Sequence, residues 1–231
     1  MTASAKPYLD ARASARQPLP AEVEAYVREL IMSGTVRPGE FLRMERIAEA
    51  LGMSNTPVRE GLLSLSNQGF VRMVPRRGFM VAHFSRQDVL DVFWAQAQLA
   101  GELAARAAKS ISKERIERLE EIVVLHEQAV VDGGDRETIT ALNHAFHREV
   151  NLAAESEQLA LLLASIVKQF PNRFYTDIEE GVQACRIEHP KILHALKNHQ
   201  TKQARTLMQQ HIAQRGDQLA HMLEQRGVWS Q

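Results

Sequence analysis

The stretch from Arg43 to Ala82, RMERIAEALGMSNTPVREGLLSLSNQGFVRMVPRRGFMVA, leaves this chain few folds to choose from. Ile47, Ala48 and Leu51 recur at helical spacing and stop at Gly52, a residue suited to the left-handed position that closes a helix. Ser54 is placed to cap a second helix, with Pro57 in its first turn, where a missing N–H costs nothing. Leu62, Leu63 and Leu65 are predicted to face a core, and Gly69 to end the helix. Two β-type runs, 70–74 and 79–82, then flank Pro75-Arg76-Arg77-Gly78. Helix, tight turn, helix and a hairpin with a basic tip is the outline of a winged helix-turn-helix.

The side chains fit what such a module has to do. A helix that enters the major groove needs short polar groups at its N-terminus for phosphates and base edges, and Ser54, Asn55 and Thr56 stand there. It also needs a guanidinium able to make two parallel hydrogen bonds to guanine or phosphate, and Arg59 follows one turn on. Arg77 and Gly78 form the wing tip, while Arg43 and Arg46 lie at the start of the first motif helix. A solvated helical hairpin would explain the Ser-Asn-Thr triplet alone; the basic wing at the right distance turns the reading to DNA.

The rest of the chain changes character. Residues 1–18, rich in Ala, Ser, Arg and Pro, read as a disordered tail, and 19–82 as the DNA-binding domain, which includes a first helix over 20–32. From 85 to 226 the pattern is helical almost throughout: 86–110, 112–131, 136–154, 157–179, 182–198 and 201–226, with Ser85-x-x-Asp88 as a capping box and Pro171 and Pro190 as kinks or boundaries. The fold class is therefore mainly α, an N-terminal winged helix-turn-helix with a small β-hairpin wing followed by an all-α helical bundle. Residues 1–82 carry 11 Lys and Arg against 8 Asp and Glu, and the remainder 17 against 20, a modest basic bias on the DNA-binding end. The lone Cys185 excludes an intrachain disulfide framework and suits a reducing cytoplasm. No run approaches the roughly 20 apolar residues of a membrane span, and the N-terminus lacks the apolar core of a signal peptide.

Within the helical region, Asn143 and His147 are four residues apart and share one face. His189 and His211 follow in later helices, and three neutral imidazoles plus an oxygen suit Zn, Ni or a similar divalent ion with open positions. His83, His126, His194, His199 and His221 read as ordinary core or surface residues, and His144, adjacent to the proposed site, points about 100° away from Asn143 on the wheel.

Two resemblances sharpen these readings. Arg37-Pro38-Gly39-Glu40, the Ser-x-Thr-Pro-Val-Arg-Glu run and the Pro-x-x-Gly wing resemble the GntR family of bacterial transcription regulators. That implies DNA contacts at Ser54, Asn55, Thr56, Arg59, Arg77 and Gly78; Asn55 stands where many members have Arg, and Glu45 where some do. The helical Asn with Phe146-His147, Glu188-His189 followed by Ile192-Leu193, and His211-Ile212 resemble the ligand-binding domain of the FadR subfamily. This implies a metal held by Asn143, His147, His189 and His211, which receives a carboxylate effector. The family's Arg-x-x-Leu-Glu is here Gln96-Ala97-Gln98-Leu99-Ala100, so Arg148, Arg173 or Arg186 would supply the missing charge beside Gln96.

The function expected is a cytoplasmic, homodimeric repressor or activator, repression being the more frequent behaviour of the family it resembles, that binds double-stranded operator DNA under the control of a small organic acid. A regulator for which the metal itself is the signal is the alternative. A metalloenzyme is the weaker one, since no Glu stands in an HExxH-like position and Glu188, next to His189, should point away from the centre on a helix.

Overall fold

Two units, divided after Val89 and again after Leu219, account for the residues described by the computed structural model, 18–169 and 179–228. Residues 1–17, read above as a tail, lie outside them. The fold is mainly α, with one small antiparallel sheet in the N-terminal unit.

In that unit α1 (Leu19–Met32) buries Val23, Val27, Ile31 and Met32, and packs on α3 (Asn55–Asn67), which buries Val58, Leu62 and Leu65. The two backbones approach closely at Gly61, where a Cβ would stand 2.7 Å from Val23 Cβ and 2.8 Å from the Pro20 carbonyl oxygen. Between them α2 (Met44–Leu51) ends at Gly52 in the left-handed conformation, φ 63°, as the sequence predicts. Two expectations need correction. Leu63 is exposed, because consecutive helical residues lie about 100° apart and the core takes Leu62 and Leu65. Ser54 occupies the cap position of α3 with extended backbone, but its hydroxyl makes no capping hydrogen bond.

The hairpin forms from β2 (Val71–Val74) and β3 (Gly78–Val81), paired in register from Val71 with Val81 to Val74 with Gly78. A third strand absent from the sequence reading, β1 (Phe41–Leu42), adds to the far side of β3 and gives the order β1-β3-β2. Two residues are too few to show the alternation that marks a strand.

The helical unit starts within α4 (Arg86–Ser110), whose capping box is reciprocal. Ser85 N–H donates to Asp88 Oδ2 at 2.6 Å, and Asp88 N–H to Ser85 Oγ at 3.2 Å. Ser112 caps α5 (Lys113–Val131) and Asp135 caps α6 (Arg136–Ala153). Then come α7 (Glu157–Val167), α8 (Glu179–Lys197) and α9 (Thr201–Gln225). The expected helix over 157–179 is realised as α7, which ends at Val167; 170–178, Pro171 with them, lie outside the described residues. Pro190 lies inside α8 rather than bounding it. Leu103, Leu119, Phe146, Val150, Ile192 and Met208 form the middle of the core. α5 packs on α6 and α8, and α6 also on α8. These three helices, with α9, carry His126, His147, His189 and His211.

Candidate functional site

The N-terminal unit presents a polar, basic face. Ser54, Asn55 and Thr56 are exposed at the start of α3 while Pro57 and Val58 turn inward, so the triplet is offered to solvent by the same helix that anchors the core. Arg59 is exposed one turn further on, and Arg43 and Arg46 are exposed at the start of α2. The wing turns through Arg76 (φ 62°) and Gly78 (φ 97°), closed by Arg77 N–H donating to the Val74 carbonyl at 3.0 Å. The Arg77 guanidinium lies over the Phe41 ring, 4.5 Å from its centroid, so the unforeseen strand steadies the wing-tip cation.

The helical unit brings His147, His189 and His211 together: one ring nitrogen from each lies within 4.8 Å of the others. His147 Nε2 and His211 Nε2 are 3.2 Å apart. The His189 ring stacks on Phe146, centroids 4.0 Å apart, and its Nε2 is buried with no hydrogen-bond partner. Burial holds His147 and His189 well below the ordinary imidazole range. It lowers His211 as well, against the hydrogen bond to Glu188. All three are neutral near pH 7, the form that binds a cation.

Glu188 corrects an expectation. Its Oε2 lies 2.6 Å from His211 Nδ1, so it faces the centre. The step of about 100° from His189 carries it away from that ring but toward α9. Burial works to raise the Glu188 carboxyl, yet the hydrogen bond to His211 and the neighbouring positive charge leave it below its ordinary value. A carboxylate on Nδ1 fixes the ring and leaves Nε2 as the lone-pair donor, the usual support of a metal-binding imidazole.

Asn143 sits one turn before His147, and its Oδ1 accepts from the Cys185 thiol at 3.1 Å. Cys185 in turn accepts from an Arg215 guanidinium nitrogen at 3.0 Å. Burial pushes the thiol up to about 11, so it stays protonated. Arg215 is 6% exposed, and its other side-chain bond goes to Gln218 Oε1 at 3.3 Å. Among the described residues it has no carboxylate partner; Glu188, whose charge it feels, is bonded to His211. The residues proposed from sequence to supply this charge sit elsewhere. Arg148 is exposed, Arg186 is forked onto Glu127 (Nε to Oε2 at 2.7 Å), and Arg173 lies outside the described residues. Gln96 is buried in α4 with its Nε2 unpartnered. Sequence reasoning missed Cys185, Glu188 and Arg215 as members of this centre; the available signal was Arg215 one turn after His211 on the same face.

His126, read from sequence as an ordinary histidine, is 3% exposed on α5, with its ring centroid 5.9 Å from that of His189. Burial, with Arg215 and Arg186 adding to it, lowers it to about 4. A cavity of about 760 Å³ opens between α5 and α8, lined by Val124, Val131 and Ile187, by His126, Cys185 and His189, and by the charged Glu127, Asp132 and Arg186.

Comparison with known proteins identifies both domains. Residues 19–81 match the bacterial regulatory proteins of the gntR family, and residues 91–214 match the FCD domain. A DNA-reading head and a helical domain of this kind in one chain define a transcriptional regulator, not an enzyme. The chain belongs to the GntR family, in the branch that carries an FCD domain. It is 24% identical over 216 residues to the uncharacterised HTH-type transcriptional regulator YdhC of Bacillus subtilis (strain 168), covering 90% of this chain and 95% of that one. It is 22% identical over 218 residues to the HTH-type transcriptional repressor RspR of Escherichia coli (strain K12), covering 92% and 94%. The solved structure of E. coli McbR/YncC superposes with a TM-score of 0.63 at 23% identity, over 91% of this chain and 99% of that one, which shows the fold. No helix among the described residues is long and apolar enough to cross a membrane.

Proposed function

We propose that this regulator is a cytoplasmic homodimeric repressor whose operator affinity is set by a small carboxylate bound at a divalent metal in the helical unit. The observation that carries the reading is the convergence of three neutral imidazoles, one with an orphaned buried Nε2, beside a buried arginine that is bonded to no carboxylate among the described residues. A buried polar atom without a partner costs about 1–3 kcal/mol, and an unpaired buried charge more, so the site is built to be filled. His147, His189 and His211 would hold Zn or Ni, with Asn143 as the oxygen donor in place of its present bond to Cys185. The ion would offer an open coordination position to a carboxylate oxygen. Arg215, by its buried charge, favours an anion there. In the dimer two α3 helices would read half-sites about one turn of DNA apart, with Ser54, Asn55, Thr56 and Arg59 at the bases and phosphates, and Arg43, Arg46, Arg77 and Gly78 along the backbone. Repression is supported by the relative RspR, which is named a repressor.

The test is thermal melting with and without a chelator, then with Zn or Ni restored. A drop of several degrees on chelation, reversed by metal, is expected. His147→Ala and His211→Ala should each lose the metal by elemental analysis and keep their helical circular dichroism; wild-type stoichiometry in either variant would rule out the ligand set. The same three-histidine centre suits a regulator for which the ion itself is the signal. Operator binding that follows metal alone, with no acid added, would select that reading.

A further inference from the structure

We infer that His126 is a recognition residue of the histidine centre, hydrogen-bonding the oxygen of a small monocarboxylate held there, and that the cavity between α5 and α8 is where that acid lodges. This rests on the metal reading above. The centre draws its three nitrogens from α6, α8 and α9. His126 comes from the remaining side, on α5, 5.9 Å from His189 between ring centroids and tilted by 52°. It falls outside the group whose donor atoms share a 4.8 Å sphere, too distant to be a further ligand of one ion. It is close enough to meet what that ion holds.

Its Nε2 is buried and makes no hydrogen bond, and the only comparable imidazole atom among the described residues is Nε2 of the neighbouring His189. Side-chain polar atoms buried in this way are few in folded proteins, and each calls for a partner. A bound ion accounts for His189; an oxygen beyond the ion accounts for His126. The surroundings favour an anionic oxygen. Arg215, hydrogen-bonded to no carboxylate among the described residues, contributes positive charge, while the carboxylates Glu127 and Glu188 are bonded to Arg186 and His211.

The cavity sets the rest of the ligand. About 760 Å³ lies within the usual range for small-molecule sites; beside Val124, Val131 and Ile187 its lining carries Asp132 and the Arg186–Glu127 pair, so the one lining guanidinium is already matched and a second carboxylate would meet negative charge. The ligand class is a small monocarboxylate, its head at the histidines and its body between the two helices.

The experiment uses the full chain loaded with Co²⁺, whose visible spectrum reports a change at the metal, titrated with acetate as the probe. His126→Phe keeps the ring's bulk and removes the hydrogen bond. It should retain cobalt at wild-type stoichiometry and bind acetate about tenfold more weakly, the effect of one hydrogen bond to a charged partner. His126→Gln, which keeps a donor, should recover most of that loss. Wild-type acetate affinity in His126→Phe overturns the inference, and so does His126→Gln as weak as His126→Phe, which would make the role one of packing. Cobalt lost from both variants would make His126 part of the ligand set and overturn it as well. A wild-type protein that takes up no cobalt defeats the metal reading itself, while one that takes up cobalt and ignores acetate defeats only this inference.

Discussion

Arg59 stands one turn into α3, exposed, on the helix whose opposite side is fixed by Val58, Leu62 and Leu65. If it reads a base through two hydrogen bonds, Arg59→Ala should weaken operator binding by about 1–3 kcal/mol in a fluorescence anisotropy titration, and unchanged affinity would remove it from that role. The histidines make a prediction of another kind. His126 is lowered to about 4 in the folded chain against an ordinary 6.5, and His147, His189 and His211 are lowered too. Below pH 6.5 the unfolded chain takes up protons that the folded one refuses. Their stabilisation is therefore complete above 6.5 and is lost as pH falls toward 4, on the order of 3 kcal/mol from His126 alone. Melting of chelator-treated protein from pH 7 to 4.5 should show this fall; a flat profile would contradict it. The histidines that meet were legible because His147 shares a helical face with Asn143 and the others stand in motifs. Their supports were not. Glu188 finds His211, and Arg215 finds Cys185, across helices far apart in sequence, and no spacing rule encodes which rotamer closes such a gap.

Gly61 shows the same division for whole elements. A glycine in a helix normally weakens it by roughly 0.5–1 kcal/mol relative to alanine, yet here it is what allows α1 to lie against α3. Replacing it by Ala sets a methyl 2.7 Å from Val23 Cβ and 2.8 Å from a backbone oxygen, neither the end of a flexible side chain. Gly61→Ala should destabilise the N-terminal unit by about 1–3 kcal/mol despite its gain in helix propensity, read as a shift in urea midpoint. A gain in stability would mean the helices can part at little cost. The elements that sequence reasoning delimited well carry their own end signals: Gly52 in the left-handed region, the Ser85–Asp88 box, Ser112 at the head of α5. β1 carries none, since its pairing with β3 is a tertiary event, and Leu63 was misassigned because apolar character says nothing of direction when neighbours in sequence point apart.

At the scale of the molecule, the proposal makes the operator and the acid two ligands of one equilibrium, and that constrains both. An acid can change operator affinity only through a difference in its own affinity for the states that do and do not bind DNA. The coupling must then run both ways. If a carboxylate weakens operator binding by some factor, operator DNA must weaken carboxylate binding by the same factor, typically about 5–150-fold. Both arms are measurable on the cobalt-loaded chain: labelled operator titrated with and without saturating acid, and the metal's visible spectrum titrated with acid with and without saturating operator. Equal factors of opposite cause are expected, at protein concentrations where the oligomeric state is the same in all four corners of the cycle. Acid binding that is indifferent to operator would disconnect the histidine centre from the DNA-binding face, and the regulator's signal would then have to enter somewhere other than His147, His189 and His211.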